Sequence, residues 1–242
     1  MSESWLGLMI GNSRLHWGLF DQQDLIYSWD SDYLLMPLSC LSPNLPLILA
    51  SVVPSQTAIW QNYPNVKIIT LQNISIGQMY PTFGIDRALA VFGAGRVLGF
   101  PILVIDAGTA LTFTGADSNQ ALVGGAILPG LSLQLGSLSG RTGQLPNIEP
   151  PQKLPLRWAM NTPEAIQSGV IYNLLAGIKD FVTHWWDDFP QSKVVMTGGN
   201  SSLLNSYLQS TNPEIAARMI VERDLIFWGM KFATDVTDVT DG

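Results

Sequence analysis

The stretch PILVIDAGTALTFTG, residues 101–115, decides the fold of this 242-residue chain. Its first half contains an apolar and largely β-branched run, residues 102–105, which is too short for a helix and typical of a buried strand. The run ends in DAGT, residues 106–109, and a second strand-like segment starts at Leu111. The stretch therefore predicts a tight β-hairpin with an acid, a glycine and a hydroxyl at its bend.

The bend of this hairpin carries groups that can serve a ligand. Gly108 lets the backbone approach a ligand closely, and Thr109 offers a hydroxyl and an N–H. Asp106, at the end of an apolar strand, is costly to bury unless its carboxylate meets a cation or a hydrogen-bond donor. Two interpretations remain open here: a ligand-binding bend, or an ordinary hairpin whose acid fixes the turn.

A second copy of this hairpin lies near the start of the chain, in LGLMIGNSRLHWG, residues 6–18. The matched pairs are Gly11 with Gly108, Asn12 with Thr109, and Gly18 with Gly115. The copies differ where the second has Asp106, because the first has Met9. Two related hairpins predict two related halves that face a shared cleft.

The composition limits the class of protein. The chain is 47% apolar and 13% charged, which is far from a disordered composition and favours an oligomer that hides apolar surface. Its net charge is −7 and no basic patch is dense, so we expect no nucleic-acid partner. No apolar run reaches the length of a membrane span and no signal peptide is visible. Cys40 is the only cysteine, which fits a reducing cytoplasm.

Strand-like and helix-like segments alternate along the whole chain, which predicts an α/β architecture in two halves. We place the boundary near residue 100, with one lobe over 1–100 and the other over 101–242. The clearest predicted helices cover residues 84–99 and 164–186. The second of these is expected to begin with Thr162 as its N-cap and Pro163 as its first residue.

Five short motifs follow one another along the chain, and their order is informative. They are GNSR (11–14), GIDR (84–87), DAGT (106–109), GGAILPG (124–130) and TGGN (197–200). Together they resemble a type III pantothenate kinase over most of the chain, from about residue 5 to about residue 235. The resemblance implies two ribonuclease-H-like lobes of the actin/hexokinase type, each with a central mixed sheet and flanking helices. It also implies a homodimer that transfers the γ-phosphoryl group of ATP to pantothenate, the first step of coenzyme A synthesis.

On the acceptor side, the resemblance places pantothenate against Gly84, Ile85, Asp86 and Arg87. The guanidinium group of Arg87 suits a carboxylate such as that of pantothenate. Asp86 matches the proton acceptor proposed for the family, so we expect it to deprotonate the hydroxyl that is phosphorylated. The alternative is a structural carboxylate that caps the following helix and pairs with Arg87.

Two further residues resemble the family's pantothenate contacts. Tyr80 lies just before GIDR, and it can equally be a tyrosine that only packs. Thr162 resembles a threonine that reaches pantothenate across a dimer interface, and it can also be a simple helix cap. The two roles of Thr162 are compatible.

On the nucleotide side, backbone and side-chain donors of the first bend can wrap phosphates. The resemblance implies ATP contacts for Met9, Ile10, Gly11, Asn12, Ser13, Arg14, Leu15, His16 and Thr109. Arg14 and His16 are expected on one face of their strand, and a histidine such as His16 is more often a surface or packing residue than a catalytic one. TGGN (197–200) matches the place where the superfamily lays adenosine against glycine backbone.

The resemblance also implies cations. Asp106 matches a position associated with K⁺ or NH₄⁺, and Mg²⁺ accompanies ATP. Residues 124–130 would form a flexible wall beside the transferred group, or simply a strand that ends in a Pro-Gly turn.

Met9 departs from the family pattern, which usually has an aspartate there. A thioether does not serve Mg²⁺, an ion that prefers hard oxygen ligands. Three interpretations are therefore weighed: an active pantothenate kinase, a nucleotide-binding pseudokinase or regulatory protein on the same fold, and a kinase for another small molecule.

Overall fold

In a computed structural model, the chain is described for residues 4–34, 45–139 and 148–237. Cys40, the basis for predicting a reducing compartment, lies outside these residues. The strands are β1 (Ser4–Ile10), β2 (Leu15–Asp21), β3 (Asp24–Ser31), β4 (Leu47–Ser51), β5 (Val66–Ile68), β6 (Ile102–Ala107), β7 (Ala110–Ala116), β8 (Leu122–Pro129), β9 (Lys193–Thr197) and β10 (Met219–Val221). The helices are α1 (Pro54–Trp60), α2 (Ile85–Leu98), α3 (Leu131–Ser139), α4 (Thr162–Asp188), α5 (Ser201–Thr211), α6 (Pro213–Ala216) and α7 (Leu225–Thr237).

The strands form two five-stranded mixed sheets with the same internal order. The first runs β3-β2-β1-β4-β5 and the second runs β8-β7-β6-β9-β10. In each sheet the central strand pairs with an antiparallel hairpin partner on one side and a parallel strand on the other. The prediction of an α/β fold with two related halves is therefore confirmed.

The two hairpins occupy equivalent places in their sheets, but the bend of the first is one residue longer than the bend of the second. Four residues, 11–14, separate the paired positions Ile10 and Leu15 in the first hairpin. Three residues, 108–110, separate the paired positions Ala107 and Leu111 in the second.

The predicted match of Gly18 with Gly115 is wrong by one residue for this reason. The first paired residues of the second strands, Leu15 and Leu111, are equivalent in the two hairpins, so Gly18 corresponds to Thr114 in the sheet. Gly18 lies opposite Gly7 in its sheet, whereas Gly115 lies opposite Leu103. Because strand side chains alternate between faces, a shift of one residue exchanges the faces.

Each unit has its own apolar core. In the first, alternate residues of β1 (Leu6, Leu8 and Ile10) pack with Trp17 and Trp60. In the second, the buried face of α4 packs on the β6–β7 hairpin.

Contact between α2 and α7 is unusually close in the first unit. A Cβ on Gly93 of α2 would collide with the carbonyl oxygen of Leu225, and one on Gly229 of α7 would collide with backbone atoms of Leu89. Glycine at both positions therefore lets two helix backbones approach directly. This packing fixes α2, whose first turn carries the GIDR motif.

The chain divides into two compact units close to the predicted boundary. Among the described residues, the first unit contains the chain up to Gly99, Asn119–Leu122 and the chain from Asp224 onward. The second contains Phe100–Ser118 and Val123–Arg223. The sequence placed residues 101–242 in one lobe, whereas α7 packs with α2 in the first unit. Within the described ranges, no helix is long and apolar enough to cross a bilayer.

Candidate active site

The first bend, residues 11–14, is a closed loop between β1 and β2. The Gly11 N–H donates to the carbonyl of Arg14 at 3.1 Å. The hydroxyl of Tyr33 donates to the carbonyl of Gly11 at 2.5 Å. The side chains of Asn12 and Ser13 are exposed at the tip of the loop. They are therefore placed where an incoming ligand can reach them.

Arg14 and His16 both reach Asp30 of β3. His16 Nδ1 lies 2.7 Å from one carboxylate oxygen of Asp30, and Arg14 Nη1 lies 3.6 Å from the other. His16 and Asp30 are directly paired across β2 and β3, so their side chains leave the sheet on the same face. The prediction that Arg14 and His16 share a face is confirmed.

Three residues of the predicted ATP-binding segment have no exposed side chain. Met9 is 1% exposed, and Ile10 and Leu15 are fully buried. Ile10 and Leu15 belong to the core of the first unit, and Met9 is buried on the other face of β1. All three therefore offer a nucleotide only their backbone. Exposure instead favours Asn12, Ser13 and Arg14 as the side chains that face solvent.

Gly84 and Asp86 open the helix α2. Gly84 is the N-cap residue, and its carbonyl accepts from the Ala88 N–H at 3.0 Å. Asp86 is half-buried in the first turn, and its Oδ1 accepts from the Arg87 N–H at 2.8 Å. The carboxylate thus lies at the positive end of the helix dipole. The alternative of Asp86 as the N-cap is wrong in position, although its carboxylate does bind a first-turn N–H.

Arg87 is buried and is held by two aromatic residues. Its Nη1 donates to the Tyr80 hydroxyl at 3.0 Å, and its guanidinium carbon lies 4.8 Å from the centre of the Phe83 ring. Tyr80 and Phe83 also contact each other edge to face at 5.2 Å. Tyr80 thus contacts Arg87, and its predicted contact with pantothenate stays a prediction. Phe83 was not among the predicted site residues, although an aromatic residue directly before GIDR is a visible signal.

The second bend brings DAGT and TGGN together. Asp106 is half-buried at the end of β6, opposite Thr197 of β9. Gly198 has a φ of +88°, and a Cβ there would overlap the Asp106 Oδ1. The Asn200 N–H donates to the carbonyl of Ala107 at 3.0 Å. The glycine is therefore required both for its backbone conformation and for the space it leaves beside the carboxylate.

Thr109 is exposed at the second bend, and the glycine-rich motif ends against it. The Gly130 N–H donates to the carbonyl of Thr109 at 2.9 Å. Residues 124–129 lie in β8, and α3 begins directly after Gly130. The segment is therefore a strand that passes through Gly130 into α3, and the predicted wall beside the transferred group stays a prediction.

Thr162 is the first residue of α4, and its predicted role as N-cap is wrong. The cap is Asn161, whose side chain accepts from the Glu164 N–H at 3.0 Å because an amide oxygen one residue earlier reaches that donor. Thr162 itself is exposed and lines an open groove of about 720 Å³. Two apolar side chains nearby, Trp158 and Met160, are 86% and 98% exposed.

The described residues contain no group of three or more His, Cys, Asp or Glu side chains that could hold a metal by themselves. A cation at Asp106 would therefore take its remaining ligands from backbone oxygens, phosphate or water. The oxygen chemistry of Asp106 fits a hard cation.

Comparison with known proteins bears on the identity of this site. A family model described as type III pantothenate kinase matches residues 5–184. The chain belongs to the type III pantothenate kinase family. A type III pantothenate kinase of Nostoc sp. is 51% identical over an alignment that covers 96% of this chain and 94% of the relative. These matches give no support to a non-catalytic pseudokinase.

Comparison with solved structures confirms the predicted fold of this chain. A protein from Campylobacter jejuni, described as a conserved putative Baf family transcriptional activator, aligns with a TM-score of 0.66 at 22% identity, covering 97% of this chain and 99% of that one. A ROK family glucokinase from Streptomyces griseus aligns with a TM-score of 0.51 at 11% identity, covering 96% and 98%. At these identities the likeness concerns the fold alone, which is the two-lobed actin/hexokinase type.

Proposed function

We propose that this type III pantothenate kinase transfers the γ-phosphoryl group of ATP to the primary hydroxyl of pantothenate, giving 4′-phosphopantothenate and ADP. The observation that carries the proposal is the cluster at the start of α2. There Asp86, whose carboxylate is half-buried, directly precedes Arg87, whose side chain is buried, in the first turn of one helix. One group can accept a proton and the other can hold an anion.

Asp86 is proposed as the catalytic base. Its Oδ1 is fixed by the Arg87 N–H, which leaves Oδ2 to accept the proton of the substrate hydroxyl. Phosphoryl transfer depends mainly on positioning and charge stabilisation, so a base that is held still on a helix suits it. Arg87 and Tyr80 are proposed to bind the pantothenate carboxylate, with Gly84 and Ile85 forming the backbone beside it.

The two bends are proposed to bind the nucleotide. Residues 11–14 of the first bend and Thr109 of the second offer backbone N–H groups and hydroxyls suited to phosphates. Asp106 is proposed to hold K⁺ or NH₄⁺. Mg²⁺ bound with ATP, when present, neutralises charge on the transferred group. TGGN (197–200), where β9 passes into α5, is proposed to face the adenosine.

A homodimer in the cytoplasm is the proposed state of the protein. Trp158 and Met160 present apolar surface beside Thr162, and a second copy of the chain would cover it. Changing both residues to Ser is expected to shift sedimentation velocity from dimer to monomer. It should also raise the KM for pantothenate, since the resemblance places Thr162 against the substrate of the partner. A variant that stays dimeric would contradict this assignment of the interface.

The direct test of the function is ADP release measured with ATP, Mg²⁺ and purified protein. We expect turnover with pantothenate in K⁺ or NH₄⁺ buffer and much less in Na⁺ buffer. Asp106→Asn should remove the preference for K⁺. Absence of pantothenate-dependent ADP release in every buffer would overturn the proposal, and a panel of other hydroxy acids and sugars would then identify a different acceptor.

Arg87→Lys is expected to raise the KM for pantothenate about 10-fold to 100-fold and to leave the KM for ATP unchanged. Lysine keeps the charge but loses the planar fork that grips a carboxylate and lies on Phe83. A hydrogen bond to a charged group contributes roughly 1.5–3 kcal/mol, which corresponds to this range. The measurement is steady-state kinetics with each substrate varied.

The control is Arg96→Lys, in the last turn of the same helix, where the guanidinium lies over the rings of Phe92 and Phe232. It should not change either KM. Pantothenol, which has a hydroxymethyl group in place of the carboxylate, gives a second check. In wild type the KM for pantothenol should be much higher than the KM for pantothenate, and in Arg87→Lys the ratio of the two KM values should be smaller. An equal ratio in both proteins would show that Arg87 does not bind the carboxylate.

A further inference from the structure

Two residues outside every motif hold the first bend from one side. Tyr33 donates its hydroxyl to the Gly11 carbonyl at 2.5 Å. Asp30 binds His16 Nδ1 at 2.7 Å through one oxygen and faces Arg14 Nη1 at 3.6 Å through the other. Asp30 lies near the end of β3, and Tyr33 follows shortly after it. The two ends of the loop, Gly11 and Arg14, thus both contact one short stretch of chain, residues 30–33.

The chemistry of these contacts fixes the direction of each donor. A carboxylate only accepts hydrogen bonds, so Nδ1 of His16 is the donor in its bond with Asp30. The other ring nitrogen, Nε2, lies 3.1 Å from the point that a Cβ on Gly11 would occupy. The ring therefore lies against the backbone of the loop and supports it by its position.

The contact with Tyr33 acts on the backbone of the loop itself. The Gly11 carbonyl accepts the phenolic hydroxyl of Tyr33, while the Gly11 N–H closes the loop on Arg14. A carbonyl that already accepts a hydrogen bond is not free to turn its negative end toward a phosphate, which it would repel. Tyr33 is half-buried and its ring packs against the core of the first unit, so the donor is anchored.

We propose that Asp30 and Tyr33 are positioning residues for the nucleotide, which hold the loop of residues 11–14 in the conformation that receives the ATP phosphates. The proposal rests on the proposed function of this loop. Stability alone does not explain the pair Arg14–Asp30, because both side chains are substantially exposed, 54% and 39%, and exposed ion pairs stabilise a fold little. Pre-ordering a loop, by contrast, lowers the entropy lost on binding.

Asp30→Ala tests the carboxylate. We expect the KM for ATP and the Kd for Mg·ADP to rise about threefold to tenfold, the range of one modest hydrogen bond, with kcat and the KM for pantothenate unchanged. Asp30→Asn keeps an oxygen that can accept from His16 and should recover part of the loss. The matched control is Asp24→Ala, which removes an exposed carboxylate at the other end of β3.

Tyr33→Phe tests the hydroxyl while keeping the ring that packs. We again expect a threefold to tenfold rise in the KM for ATP. The matched control is Tyr63→Phe, because the Tyr63 hydroxyl also donates to a backbone carbonyl, that of Leu45 at 3.2 Å. Thermal unfolding of both variants separates a general loss of stability from the specific loss of nucleotide affinity.

The outcomes distinguish failure of the positioning role of Asp30 and Tyr33 from failure of the proposed kinase reaction. If wild type releases ADP with pantothenate and the KM for ATP is the same in Asp30→Ala, Tyr33→Phe and their controls, the positioning role is wrong and the proposed function stands. If the controls raise the KM for ATP equally, the effect is structural and the positioning role is also wrong. If wild type shows no turnover but binds Mg·ADP, the Kd alone tests the positioning role and the proposed reaction has failed separately.

Discussion

Asp86→Asn is expected to lower kcat for pantothenate phosphorylation by about 10²-fold to 10⁴-fold, the range for loss of a general base. The amide is not basic, so it does not take the proton of the substrate hydroxyl. The KM for each substrate should change little, because Arg87 and the loop of residues 11–14 keep their groups. The measurement is initial-rate ADP release with both substrates varied.

The substitution Asp86→Asn should remove the basic group without disturbing the start of α2. The asparagine Oδ1 can still accept from the Arg87 N–H, so the start of α2 keeps its hydrogen bond. Glu214→Gln is the matched control, since Glu214 is an exposed first-turn acid of another helix, α6. It should leave kcat unchanged.

Only one result is compatible with the structural alternative. If Asp86→Asn unfolds at a lower temperature and keeps a kcat near that of wild type, the carboxylate serves the helix and not the reaction. A loss of kcat at an unchanged unfolding temperature supports catalysis.

Much of the fold followed from local sequence. The run of residues 102–105 is short, apolar and ends in polar residues, and these properties alone predict a buried strand that enters a bend. Its likeness to residues 6–18 predicted the repeat that the two sheets share. The order of the motifs predicted the family that the comparisons confirm. The roles of individual site residues remain predictions.

The errors arose where the answer depends on contacts between distant segments. The hairpin register depends on the number of residues in the bend, and Gly18 and Gly115 looked equivalent only because both hairpins contain a glycine near that place. The position of α7 is set by glycine contacts with α2, which no local pattern reveals. Asp30 and Tyr33 were missed for the same reason, since only the pairing of β2 with β3 brings Asp30 to His16.

Met9→Asp is expected to lower the free energy of unfolding of the first unit by about 3–5 kcal/mol. Met9 is 1% exposed, and its cross-strand neighbours are His16 and Ala50. The substitution removes a buried apolar side chain and places a carboxyl group in its position. Chemical unfolding followed by tryptophan fluorescence would measure the loss.

The pH dependence of this loss separates charge from packing. Burial raises the pKa of the introduced carboxyl in the folded state above its ordinary value of about 3.9. Above about pH 3.9 the carboxyl is ionised in the unfolded chain but still protonated in the folded chain, and this difference favours unfolding. The destabilisation should therefore grow as the pH rises from 5 to 7.5. Met9→Asn makes a similar change in size without ionising, and its loss should be independent of pH. Met9→Leu conserves volume and should cost less than about 1.5 kcal/mol.

The comparison with Asp106 explains why the two copies tolerate different residues. When the glycines of the two bends are aligned, Met9 and Asp106 occupy the same place in their hairpins. Asp106 is half-buried beside Gly108 and Gly198, which leave space around its carboxylate, whereas Met9 is enclosed. If Met9→Asp is as stable as Met9→Leu at pH 7.5 and its activity gains a stronger dependence on Mg²⁺, the first bend can accept a charged ligand group after all. In that event the thioether, and not the fold around it, limits the number of oxygen ligands in wild type.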